Sequence, residues 1–183
     1  LSLHDALPIS YEELGSMAHT FSPAYTDNEF AKIMECSSHI TFNSLIQYKH
    51  FQPQIARADH PISLGLRINP EFSVVETDIY NPCTPGSRLG IVASQLPSKL
   101  PSDISGLHIH CLCESSATDL EALMQHVEEH FAQWIKQVKW VNFGGGHLMT
   151  RQGYDTDKLI SIIKAYREKW GVEVILEPGS AFG

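Results

Sequence analysis

The sequence predicts an α/β fold, a partial TIM (β/α)8 barrel with about six of the eight strand units that would close it. Two observations lead there. Short β-rich runs alternate with amphipathic helical stretches along the 183 residues, the order that a parallel sheet with crossover helices requires. Each β-run also ends in a polar or glycine-containing signature: Ser-Pro at 22–23, Asn-Ser at 43–44, Asn-Pro at 69–70, "HCLCE" at 110–114, "GGG" at 144–146 and "EPG" at 177–179. Distinctive residues at the carboxyl ends of successive parallel strands mark the active-site face of such a barrel.

The elements follow in order. "AHTFSP" (18–23) is a strand stopped by Pro23, which has no amide to donate. "DNEFAKIMECS" (27–37) is a short amphipathic helix opened by Asp27, and "HITFNS" (39–44) is a strand. "SLIQYKHFQPQI" (44–55) is helical until Pro53, and "ISLGLRINP" (62–70) is a strand stopped by Pro70. The stretch 71–105 contains Pro82, Pro85, Pro97 and Pro101 with little periodicity, and reads as a long functional excursion with one short helix. "GLHIHCL" (106–112) is the next strand, and 116–135 is a strong amphipathic helix. "VKWVNFGGG" is a strand, 155–171 a helix closed by Gly171, and "VEVILEPG" (172–179) the last strand. The tyrosines, tryptophans and methionines are read as core.

At the amino end, "LSLHDALPIS" (1–10) resembles a translated cloning adapter and is set aside. The barrel piece is therefore expected over 11–183, beginning with a helical pattern from Tyr11 to Met17. "VEVILEPGSAFG" stops just after a strand and a Pro-Gly turn, so the chain is expected to be an internal fragment.

Bulk properties exclude several classes. With 43% hydrophobic and 19% charged residues the composition is that of a globular domain. A net charge of −8 and a pI near 5.6 argue against nucleic-acid binding, which needs a basic face. No apolar run reaches the roughly 20 residues of a membrane span, and the first residues show no basic n-region followed by an apolar h-region. Cys36, Cys83, Cys111 and Cys113 form no CxxC pair and no dense disulfide framework, so reduced thiols in a cytoplasmic protein are expected.

Five motifs carry chemistry. Gly144-Gly145-Gly146 at a strand end offers either an anion nest for a phosphate or a tight turn. His108 and His110, two apart on a strand, share one face. They fit a metal pair, an imidazole lying flat on a ring-shaped cofactor, or a buried hydrogen-bonded pair. Glu177, held by a Pro-Gly turn, is placed to pair with a protonated pyridine nitrogen or simply to face solvent. Arg67 on an apolar strand needs an acidic, phosphate or phenolate partner, and a structural ion pair serves as well. "PCTPGSRLG" (82–90) has the glycines of a segment able to close over a site, or of an ordinary surface loop.

In sequence order, "FSPAY", "FNS", "LRINP", "NPCTPGSRLG", "GLHIHCLCES", "NFGGGH" and "EPG" resemble the carboxynorspermidine/carboxyspermidine decarboxylases. These are pyridoxal 5'-phosphate enzymes of the alanine racemase and ornithine decarboxylase fold type. "PCTPGSRLG" and "LHIHCLCES" are the most family-specific parts. The resemblance implies that His110 stacks on the cofactor ring and that Glu177 pairs with the ring nitrogen. It further implies that Gly145 and Gly146 seat the phosphate and that Arg67 lies near the phenolic oxygen. Cys113 falls near the phosphate, and Glu114 at the substrate end. Ser180 stands where the family usually has an acidic residue at a substrate-binding position. The cofactor lysine is expected on a strand before residue 11, and a C-terminal β-domain with the homodimer contacts beyond Gly183.

The implied reaction is decarboxylation of a carboxylated polyamine to norspermidine or spermidine, with no resident metal. Two other readings stand beside it. One is a metal-dependent barrel hydrolase using His108 and His110, with His147 as a third candidate ligand; the other is a non-catalytic regulatory homologue.

Overall fold

The structure, a computed structural model, describes residues 11–12, 15–75 and 78–179. Six parallel strands lie in one sheet in sequence order: β1 (Ala18–Ser22), β2 (Ser37–Phe42), β3 (Ser63–Arg67), β4 (Ile104–His108), β5 (Trp140–Asn142) and β6 (Glu173–Ile175). Four helices link them: α1 (Asp27–Cys36), α2 (Leu45–Ile55), α3 (Ala117–Ile135) and α4 (Thr156–Trp170). A sheet in which every strand pairs with its sequence neighbour, always parallel, is the curled half of a (β/α)8 barrel.

The helices bury one face each. Phe30 of α1 stacks on Phe51 of α2 at 4.0 Å, with Tyr25 edge-on to both and Phe42 of β2 close by. Offset and edge-on arrangements of this kind suit the aromatic quadrupole. The α3 core stripe is Leu120, Leu123, Met124, Val127, Phe131 and Trp134, at helical spacing and all buried. Ser116 caps α3 with a reciprocal box: its hydroxyl accepts from the Asp119 amide, and the Asp119 carboxylate accepts from the Ser116 amide. Gly171 ends α4 in the left-handed region at φ 67°.

On the concave side, register sets two rows. Gly65, Gly106 and Trp140 are neighbours across β3, β4 and β5, and Arg67, His108 and Asn142 form the next row. The Trp140 indole fills the space left by the two glycines, where a Cβ on either would overlap it. Its Nε1 donates to Ser63 Oγ at 2.8 Å.

Several expectations need correction, and the strands expected over 138–146 and 172–179 span only Trp140–Asn142 and Glu173–Ile175. The helix expected to stop at Pro53 runs on to Ile55, because in the last turn a proline forfeits a single backbone bond. The strand expected over 106–112 spans Ile104–His108. Ile109 still donates to Asn142 at 2.7 Å, but beyond it β5 turns into glycines and the ladder loses its partner. The helical pattern expected over 11–17 is present at Tyr11 and Glu12 but does not reach Gly15, which takes φ 62°, or residues 16–17, which are not helical. The excursion 71–105 contains two short 3-10 turns, Asp78–Tyr80 and Ala93–Gln95, and a parallel bridge from Ile91 to Ile68. Residues 1–10 and Ser180 lie outside the described residues.

Candidate active site

The carboxyl ends of β3, β4, β5 and β6 bring most of the expected residues together. Glu177 follows β6 and is two-thirds buried, its side chain 34% exposed. Its Oε1 accepts from Asn142 Nδ2 at 2.8 Å, while the Asn142 Oδ1 accepts from the Gly144 amide, also at 2.8 Å. One side chain at the end of β5 thus ties the carboxylate to the glycine turn. Asn142 gave no signal in the sequence beyond its place before Phe143-Gly144. Only the register of β5 against β6, with Asn142 beside Ile175, shows that it reaches Glu177.

His108 and His110 both face the same carboxylate oxygen, Nε2 and Nδ1 lying 3.6 and 3.7 Å from Glu177 Oε2. These separations exceed hydrogen-bond length, so Asn142 is the direct side-chain donor to Glu177 among the described residues. Burial works against ionisation of Glu177. The two imidazoles and the Asn142 amide outweigh it and hold the carboxyl well below the usual carboxylate range. Burial pushes the His108 pKa down, and neither of its ring nitrogens meets a hydrogen-bond partner among the described residues. His110 stands half exposed, edge-on to His108 at 6.0 Å.

The glycine turn packs under these groups. A Cβ on Gly144 would come within 2.9 Å of the His110 ring, and one on Gly145 within 2.5 Å of the Glu177 carbonyl. Gly146, at φ 86°, leaves a Cβ no room against the Leu112 carbonyl. The Gly144 amide is taken by Asn142, and the Gly146 carbonyl accepts from the Ser115 amide at 2.7 Å. The amides of Gly145 and Gly146 make no hydrogen bond within the described residues. Two free N–H groups in succession at a strand end form a seat for an anion.

Arg67 is buried, its guanidinium 4.7 Å from the Phe21 ring centre and donating to the His110 carbonyl at 3.1 Å. A main-chain carbonyl and an aromatic face hold it where the sequence suggested an acid, a phosphate or a phenolate. Above it opens a cleft of about 670 Å³ lined by Phe21, Arg67, Tyr80, Arg88, His110 and Cys113. The excursion therefore forms one wall of the site. Glu114 is exposed at φ 48° and does not line this cleft. His108, His110 and Glu177 also present ligand atoms within 4.8 Å of one another, a set that does not include His147. His147 is fully buried, and its ring nitrogens meet no hydrogen-bond partner among the described residues.

A parallel half-barrel whose strand ends converge on a carboxylate, two imidazoles and a glycine anion seat defines a (β/α)8-type barrel segment with a candidate site at its strand ends. Over nearly its whole length the chain is similar to proteins described as carboxynorspermidine/carboxyspermidine decarboxylases. It is 48% identical over 172 residues to the carboxynorspermidine/carboxyspermidine decarboxylase of Campylobacter jejuni, an alignment covering 94% of this chain and 44% of the relative. It is 43% identical over 174 residues to the carboxyaminopropylagmatine decarboxylase of Synechocystis, again covering 94% and 44%. The crystal structure of carboxynorspermidine decarboxylase from Campylobacter jejuni, complexed with norspermidine, superposes with a TM-score of 0.85 at 44% identity, covering 96% of this chain and 44% of that one. No family model matches the chain. The chain thus spans less than half the length of these relatives. Members of the family are pyridoxal-phosphate-dependent enzymes. No helix among the described residues is long and apolar enough to cross a membrane.

Proposed function

We propose that this chain forms the cofactor-facing half of a pyridoxal-phosphate-dependent decarboxylase acting on a carboxylated polyamine. The observation that carries the reading is the convergence of an ionised Glu177, a half-exposed His110 ring and the free amides of Gly145 and Gly146 at three adjacent strand ends. These donors fit the cofactor: a phosphate takes the two amides, and a carboxylate held well below its usual range keeps a proton on a basic ring nitrogen.

When bound, pyridoxal phosphate supplies an electron sink for the electron pair left as carbon dioxide departs. Glu177, itself held by Asn142, would keep the proton on the ring nitrogen, and His110 would offer its flat face to the ring. Arg67 would serve the phenolic oxygen, and Cys113 the phosphate end. Glu114 and Ser180 are assigned to the substrate end on resemblance alone. The substrate class is carboxynorspermidine or carboxyspermidine. The similarity to a carboxyaminopropylagmatine decarboxylase adds a substrate with a guanidinium at its far end. The intact enzyme is proposed to be a cytoplasmic homodimer.

The metal-dependent alternative would use His108, His110 and Glu177 as a two-histidine, one-carboxylate set. The family match favours the decarboxylase. The test is Glu177→Gln in the full-length protein, assayed by carbon dioxide release from each of the three carboxylated substrates and by cofactor retention on dialysis. Turnover is expected to fall by two orders of magnitude or about that, with the cofactor retained through the amide seat. Unchanged turnover with cofactor bound refutes the proposal.

A further inference from the structure

Beside the site, two thiols meet. Cys111 follows His110 at the end of β4 and is buried; Cys83 lies in the excursion and is half-buried. Their sulfurs are 3.2 Å apart although 28 residues separate them in sequence. The excursion is held to the same strand end by a second contact, as Ser73 Oγ donates to the Cys111 carbonyl at 2.7 Å. Asn81, Pro82 and Thr84, which flank Cys83, line the cleft that holds Arg67 and His110. The Cys83 amide is fixed by Asn81 Oδ1 at 2.8 Å. A covalent sulfur–sulfur bond is about 2.05 Å long, so an approach of roughly 1 Å by a surface segment would join the pair.

We propose that Cys83 and Cys111 are an oxidisable dithiol that closes to a disulfide under peroxide and tethers the excursion wall to the strand end beside His110. Cys83 is the sulfur that reacts first. A hydrogen bond accepted from the Cys111 thiol lowers its pKa against the opposing effect of burial, and the Arg67 guanidinium adds to the lowering. The Cys83 thiolate attacks one peroxide oxygen; the oxygen–oxygen bond breaks, and the departing hydroxide takes a proton and leaves as water. The sulfenic acid so formed is attacked by the Cys111 sulfur. The sulfur–oxygen bond breaks, and the second hydroxide leaves as water with the Cys111 proton. Two thiols are oxidised by two electrons in all, and one hydrogen peroxide is reduced to two waters.

The test is peroxide treatment of the full-length protein with its cofactor bound, then alkylation of free thiols and peptide mapping without reductant. A peptide pair joining Cys83 to Cys111, lighter by two hydrogens and separated by dithiothreitol, is expected in the wild type and absent in Cys83→Ser. Trypsin cleavage after Arg88 should slow by about threefold or more on oxidation, and recover on reduction. Both thiols still alkylated after peroxide, with Cys113 oxidised in their place, overturns the dithiol. A cross-link that leaves cleavage at Arg88 unchanged overturns the tether. Because Cys83 sits on a half-buried loop, its serine variant isolates the pair without opening the core, and reversal in the wild type needs no variant. The readout is a covalent bond, so it stands or falls apart from the decarboxylase reading.

Discussion

Replacing Asn142 by alanine removes two bonds at once. The bond to Glu177 has a charged acceptor, worth about 1.5–3 kcal/mol when fully buried. With Glu177 one-third exposed, water recovers part of that, leaving about 1–2 kcal/mol. The Gly144 amide, buried beside it, loses its acceptor at a penalty of about 1–3 kcal/mol. Together Asn142→Ala should destabilise the barrel by about 2–5 kcal/mol, read as a lower urea midpoint by circular dichroism with an unchanged slope. Asn142→Asp restores the acceptor for Gly144 but sets a second carboxylate against Glu177. In the wild type the Glu177 pKa lies below its ordinary value of 4.5, so its contribution is full above that pH and is lost as pH falls toward the folded value. In the aspartate variant one of the two carboxyls must take a proton, its pKa raised. That contribution is full below about pH 4 and is lost as pH rises through the raised value. The variant should therefore be weakest relative to wild type at neutral pH and recover in mild acid. A loss below about 1 kcal/mol for Asn142→Ala, or an aspartate variant indifferent to pH, would refute the coupling of carboxylate and glycine turn.

Three further outcomes are expected. His110→Phe should keep cofactor affinity within about tenfold, whereas His110→Ala should lose more, because a flat ring contributes roughly 0.5–1.5 kcal/mol beyond its buried area; fluorescence titration distinguishes them. Gly146→Ala, with φ 86° and the Leu112 carbonyl against the new methyl, should lower both phosphate affinity and stability by about 1–3 kcal/mol, checked by calorimetry with inorganic phosphate. Ser116→Ala opens the α3 capping box and should cost about 1 kcal/mol in urea melts without changing turnover.

The helices and strands were legible because their signals are local. Ser116 caps α3 through its side chain and Gly171 ends α4 through its φ, while Asp27 stands as the first residue of α1, and α1, α3 and α4 end within a residue of expectation. Pro53 misled because its effect depends on how many turns follow it, which local pattern does not state. Within the site, His110, Glu177 and the glycines announced themselves by residue type. Asn142 and the Cys83–Cys111 contact did not. Each acts on a partner 28 or more residues away, and only strand register and the path of the excursion bring the pairs together. Arg67 was picked out as a buried cation, but its carbonyl and aromatic partners belong to chain geometry that no spacing encodes.

Trp140 sits one row below Asn142 and His108, about two residues along the strands, or roughly 6.6 Å. Wedged between Gly65 and Gly106 and anchored on Ser63, its indole has a single orientation. The packed layer beneath the site residues is therefore also a built-in optical probe. Any ligand ring that absorbs in the near ultraviolet will quench this indole at that range far more than Trp134 or Trp170, which bond to Pro97 and Glu128 on the helical layer. Occupancy of the site can thus be followed by emission alone, with Trp140→Phe as the blank.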